Sequence, residues 1–170
     1  MKTALLSIGA LLAAAAPAVA QGPTDPQIAA IVVAANQVDI DAGRMAVART
    51  KDAGVKAFAQ QMITDHSAVN AAATKLVTKL HVTPEPNATS KQLTDGGVAN
   101  RKNLEPLRGA AFDKAYIDNE VAYHQAVLDA IDKTLIPNAK NAELKALLEQ
   151  TRPAIAAHLE HAKQLQASHK

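Results

Sequence analysis

The chain has 170 residues, with 18 Lys and Arg against 16 Asp and Glu and a formal charge of +2. So small an excess excludes the electrostatic footprint of a nucleic-acid binder or of a protein held to an anionic membrane surface, and two Tyr, two Phe and no Trp leave few rings to stack on bases or sugars. The absence of Cys excludes disulfides, covalent c-type haem and a lipid-bearing N-terminal cysteine, while abundant Ala with little Gly favours closely packed helices.

Residues 1–20 begin with Met1 and Lys2, continue as an apolar run and end on Ala18-Val19-Ala20 ahead of the polar Gln21. This is the pattern of a secretory signal peptide, so the expected product is a periplasmic protein of residues 21–170. Lys2 is the only charge lost on cleavage, which leaves 17 basic against 16 acidic side chains and a formal charge of +1. No later stretch approaches the roughly 20 uncharged apolar residues of a spanning helix, so no membrane span is expected. About 150 residues suit one domain with a core that needs no staples.

Thr24-Asp25-Pro26-Gln27 reads as a capping box, with Pro26 tolerated in the first turn. It opens a first helix to about Lys51, with Ile28, Ile31, Ala35, Val38, Ala42 and Met45 on the apolar stripe. Gly54 marks a short break before a second helix to about Leu80, whose stripe holds Val55, Phe58, Met62, His66, Val69, Ala73 and Leu76. Across residues 82–108 the periodicity fails. Pro84, Pro86, Pro106 and Gly96-Gly97 are expected to interrupt any continuous helix, leaving a short helical piece pinned by Leu93, Leu104 and Leu107. A third helix, from about Ala110 to Leu135, carries Phe112, Tyr116, Glu120, His124, Leu128 and Ile131 and ends at Pro137-Asn138. A fourth, from about Asn141 to Ala167, carries Leu144, Leu148, Thr151, Ile155, His158, Ala162 and Leu165, with an expected kink at Pro153. Helices of about 26 residues joined by short, long and short connections predict an all-α, ferritin-like four-helix bundle with a long crossover between helices two and three. The competing topology is up-down-up-down, with residues 82–108 as an excursion.

Three of the four stripes contain a histidine: His66, His124 and His158. The first helix supplies Asp39 at the edge of its stripe. Counted from the turns at about 1.5 Å per residue, Asp39 and His66 fall at similar depth, whereas His124 and His158 are expected to be offset by roughly 9 Å. Tyr116, Glu120 and His124 follow one another at four-residue spacing along one face. A Glu and a His one turn apart can hold one cation together, and neutral imidazole is a common ligand for zinc, copper, iron and nickel. His66, His124, His158, Glu120 and Asp39 are therefore the candidate ligands for one divalent transition-metal ion. The same residues also fit a structural cluster whose nitrogens are satisfied by hydroxyls, carboxyls or water. Asp65, adjoining His66 in sequence but about 100° away around the helix, reads as a solvated residue or a partner for a neighbouring helix. Met45 and Met62 lie at core spacing and read as packing. The Glu-x-x-His motif of di-iron carboxylate bundles is missing: Ile63, Val121, Ile155 and His158 stand three places before His66, His124, His158 and His161.

The run Phe58-Ala59-Gln60-Gln61-Met62-Ile63-Thr64-Asp65-His66-Ser67 resembles the second helix of an exported bacterial family, domain-of-unknown-function family 4142. Gly109 to Tyr116, Val121 to His124 and Pro153 to Leu159 add matches in order, so the resemblance covers essentially the whole mature chain. It implies a fold similar to that of ferritins, with His at the positions of His66, His124 and His158 and an acid at that of Asp39, where Glu is usual. The family's common Asp before the third-helix His is Tyr123 here. The outer-membrane label often given to the family conflicts with a sequence that offers no barrel strands.

These features describe an exported, non-enzymatic helical bundle with a polar His and acid cluster in its core. The alternatives are a ferritin-like metalloenzyme acting on oxygen or peroxide, and a partner-binding bundle, including a homo-oligomer. Ala18 and Ala20 supply the small residues before a cut, so the mature N-terminus is expected at Gln21. Intact-mass measurement of protein from a periplasmic extract checks this, and a product retaining residues 1–20 in its native host contradicts it.

Overall fold

Helix α1 (Asp25–Arg49) starts where the sequence places a cap: the Thr24 backbone N–H donates to Gln27 Oε1 at 3.1 Å. The computed structural model describes residues 22–169; the signal peptide expected at residues 1–20 lies outside them. After a short turn, Asp52 accepts from the Val55 N–H at 2.8 Å and caps α2 (Ala53–Lys79). His81, with φ of 53°, ends α2 in the left-handed region.

Residues 82–108 correct the expectation of an interrupted segment, because α3 (Ala88–Leu104) is one continuous 17-residue helix. Pro84 and Pro86 precede its N-cap and Pro106 follows its end, so no proline falls inside it. Asn87 and Ser90 form a reciprocal capping box, with Asn87 Oδ1 accepting from the Ser90 N–H at 3.0 Å and Ser90 Oγ accepting from the Asn87 N–H at 2.9 Å. Gly97 permits a close approach rather than a break: a Cβ there would lie 2.8 Å from Val38 Cγ2 of α1. Helix α4 (Gly109–Ala130) passes into a wider π turn over Ile131–Leu135 and a last turn, α5 (Ile136–Asn138). Helix α6 (Ala142–Ser168) is capped by Asn141 and contains Pro153, which removes one i to i−4 bond at the exposed Glu149 carbonyl.

Two apolar clusters fix the helix directions. One joins Ala46, Val55, Phe58, Met62, Phe112, Tyr116 and Ala162, and the other joins Ile28, Ile31, Ala73, Ile131, Leu135, Leu144 and Ile155. The C-terminal half of α1 therefore meets the N-terminal halves of α2 and α4 and the C-terminal half of α6. Helices α2 and α4 are parallel to each other and antiparallel to α1 and α6. A parallel pair demands a connection as long as the bundle, and α3 provides it by lying along α1. At one end Asn87 Nδ2 donates to the Gln27 carbonyl at 3.1 Å. At the other, Arg49 donates to the Leu104, Glu105 and Leu107 carbonyls and stacks 4.6 Å from the Phe112 ring centroid. The described residues are an all-α four-helix bundle with α3 as a helical crossover. Among them, no helix is long and apolar enough to cross a membrane.

The two adjacent glycines of α3 should respond oppositely to alanine. A Cβ at Gly96 meets nothing within 4 Å, so Gly96→Ala should stabilise the protein by about 0.5–1 kcal/mol through helix propensity. At Gly97 the added methyl must displace the stiff Val38 side chain, and Gly97→Ala should cost about 1–2 kcal/mol. Urea unfolding of both variants checks the pair.

Candidate metal centre

Between the apolar clusters lies a polar layer to which four helices contribute. Asn36 and Asp39 come from α1, His66 from α2, Glu120 and His124 from α4 and His158 from α6, and all are at most 5% exposed. The ring centroids of His66, His124 and His158 are 5.4–5.7 Å apart. The offset expected between His124 and His158 is absent, because α4 continues through the π turn to Asn138. His124 thus stands 14 residues before that end and His158 16 after the start of α6.

Each imidazole has one nitrogen engaged from outside the triangle. Asn36 Nδ2 donates to the Val32 carbonyl at 2.9 Å, which turns Asn36 Oδ1 towards His66 Nδ1, 2.7 Å away; the ring must donate there. His124 Nδ1 donates to the Glu120 carbonyl at 2.9 Å, and His158 Nε2 donates to Asp65 Oδ2 at 2.9 Å. The opposite nitrogens, His66 Nε2, His124 Nε2 and His158 Nδ1, are buried with no hydrogen-bond partner in the protein. Three lone pairs cannot satisfy one another. A ring nitrogen from each histidine lies within 4.8 Å of one from the others, and Asp39, Glu120 and His124 form a second set at the same spacing. Donors about 2.0–2.1 Å from a common ion stand roughly 3–3.5 Å apart. His66 Nε2 is 3.2 Å from Asp39 Oδ2, and His124 Nε2 is 4.0 Å from the same oxygen. Glu120 Oε2 and the Tyr116 hydroxyl are also buried and unpartnered.

Burial disfavours charge on Asp39, Glu120, His66 and His124. Burial pushes Asp39 up to about 8, and burial together with the neighbouring Asp39 charge pushes Glu120 well above the usual carboxylate range. Burial, with repulsion among the rings, holds His66 down at about 3 and His124 at about 4. The 3.2 Å contact of His66 with Asp39 has the spacing of an ion pair. Both charged forms are desolvated there, so burial works against a charged pair at this contact. Burial also raises the Tyr116 and Tyr123 hydroxyls, and Tyr123 donates to the Ala35 carbonyl at 3.0 Å.

A family profile for a domain of unknown function, DUF4142, matches residues 9–165. The chain belongs to the DUF4142 family. No curated protein and no solved structure matches it.

All five of the DUF4142 chain's sequence-predicted ligands meet in this layer. Asp65, read as a solvated residue or a partner for a neighbouring helix, is the partner of His158 on α6; Asn36, which orients His66, was missed and could have been found as a polar residue one turn before Asp39. His161 lies outside the cluster, with its ring edge-on to Phe58 at 5.2 Å. Met62 is fully buried among apolar side chains, as packing requires.

The buried cluster gives the metal-free protein a defined pH response. His66 and His124 lose their stabilising contribution as pH falls below their ordinary value of 6.5. The Asp39 contribution is complete below its ordinary value of 3.8 and is lost as pH rises towards 8. These trends oppose each other in acid, but above 6.5 only the carboxyls remain. In chelator, the unfolding free energy should fall between pH 6.5 and 8 by on the order of 1 kcal/mol per pH unit. Asp39→Asn should flatten that slope. Urea unfolding at several pH values measures both, and a rising stability over this range contradicts the assignment.

Proposed function

We propose that this protein is an exported periplasmic bundle that binds one divalent transition-metal ion through His66, His124, His158 and Asp39, with Glu120 beside His124, and that it does so without catalysing a reaction. The observation that carries the reading is the set of three buried, unpartnered imidazole nitrogens, in a triad whose ring nitrogens come within 4.8 Å of one another and whose other ring nitrogens are held by Asn36, the Glu120 carbonyl or Asp65. Outer partners of this kind fix the tautomer and orientation of metal-ligating histidines. Imidazole and carboxylate donors with no thiolate suit zinc, manganese, iron, nickel or copper. Export is supported by the leader-like residues 1–20.

Zinc titrated into chelator-treated protein, followed by calorimetry, should bind at one ion per chain and raise the melting temperature. His66→Ala or His124→Ala should abolish binding and the melting shift together. Asn36→Ala, which removes only the group that orients His66, should weaken affinity about 10–100-fold. If the alanine variants destabilise the protein equally with and without chelator while zinc fails to bind the wild type, the cluster is structural and the reading is wrong.

A further inference from the structure

Helix α1 packs along α2, and α4 along α6, but α1 and α4 touch at few points. The gap between them is a cavity of about 310 Å³. Its walls are aliphatic, chiefly Ile31, Val32, Val127, Ile131, Leu135 and Leu148, and Asp39 and His66 lie at its inner end. The hydroxyl of Tyr123, the one aromatic residue of the lining, is already engaged with the Ala35 carbonyl, and the Asn36 amide is held between Val32 and His66. The ionisable atoms therefore lie at one end of the space; along the rest of its walls the polar groups are the hydroxyls of Thr89, Thr134 and Thr151, the last donating to the Leu147 carbonyl.

Size and shape narrow the occupant. An apolar cavity of about 150 Å³ takes up benzene, so about twice that volume accommodates roughly ten to twelve carbon atoms. From Ile31 to Asp39 the lining extends about 12 Å along α1, an elongated shape that suits a hydrocarbon chain in van der Waals contact. A planar ring system would find no aromatic face free of other engagement to stack on. The π turn supplies an independent sign of function: Ile131, Thr134 and Leu135 of its five residues line the slot, and such turns occur frequently at functional sites.

We propose that the slot binds one aliphatic amphiphile of roughly ten to twelve carbons, its chain between α1 and α4 and its polar head at Asp39 and His66. Binding of the chain does not depend on a cation in the neighbouring cluster.

The test titrates 1-decanol into protein labelled with carbon-13 at Ile, Leu and Val methyls, metal-free and zinc-treated, and follows the NMR spectrum. Saturable one-to-one shifts confined to Ile31, Val127, Ile131 and Leu148 are expected, with a raised melting temperature. Ala35→Leu fills the slot from the α1 side and should weaken binding at least tenfold while the protein stays folded. Val127→Phe, from the opposite wall, serves if the first variant fails to fold. Shifts scattered over the surface, no saturation, or wild-type affinity in the filled variants would overturn the proposal. Zinc binding without decanol binding removes this inference alone, and decanol binding without zinc binding leaves it standing while removing the metal reading.

Discussion

Three buried histidines whose outer nitrogens are already committed set the constraint on which the centre of this bundle depends. A buried polar atom without a partner costs about 1–3 kcal/mol, and His66 Nε2, His124 Nε2 and His158 Nδ1 are all in that position, in a triad whose ring nitrogens come within 4.8 Å of one another. A proton, a cation or a water molecule can satisfy lone pairs gathered this closely. The structure holds the first two possibilities in the same groups. Burial favours the protonated form of Asp39 when no cation is present, and its Oδ2 stands 3.2 Å from His66 Nε2, the spacing of two ligands on one ion.

The surrounding fold buries that layer. Apolar clusters close it above and below, with Phe58, Phe112 and Tyr116 on one side and Ile131, Leu144 and Ile155 on the other. Sideways, α3 covers the outer face of α1, so the helix that carries Asn36 and Asp39 is buried on two sides. The crossover required by parallel α2 and α4 thus also shields the acid and amide that the cluster uses. Gly97 allows the approach, and Arg49 ties the far end of α3 to α1 and α4. The less tightly packed α1–α4 side is where the aliphatic slot opens towards Asp39 and His66.

The four long helices and the cluster were legible because their signals are local or periodic. A histidine that interrupts an apolar stripe stands out, and Asp39 could be placed level with His66 by counting from a short turn. Helix α1 was read less well. Burial on both faces blurs a 3.6-residue pattern, so its stripe was drawn through Ala35 and Val38, whereas Asn36 and Asp39 face the bundle and Val38 meets α3. Helix α3 was missed for a different reason. Its prolines are outside its ends, its cap is an Asn and Ser pair, and its glycines answer to a neighbour that only the tertiary structure reveals. The π turn was invisible to a search for regular periods, and it helps carry α4 to Asn138, which brings His124 level with His158.

Long-range proton–nitrogen NMR of the histidine rings in metal-free protein at pH 7 tests the central claim most directly, because it reads tautomer and charge site by site. The account predicts neutral rings protonated on Nδ1 at His66 and His124, and a proton on Nε2 at His158 donated to Asp65. A charged His66 or His124, or a proton on Nε2 in either ring, would mean that the lone pairs do not converge and would contradict the account.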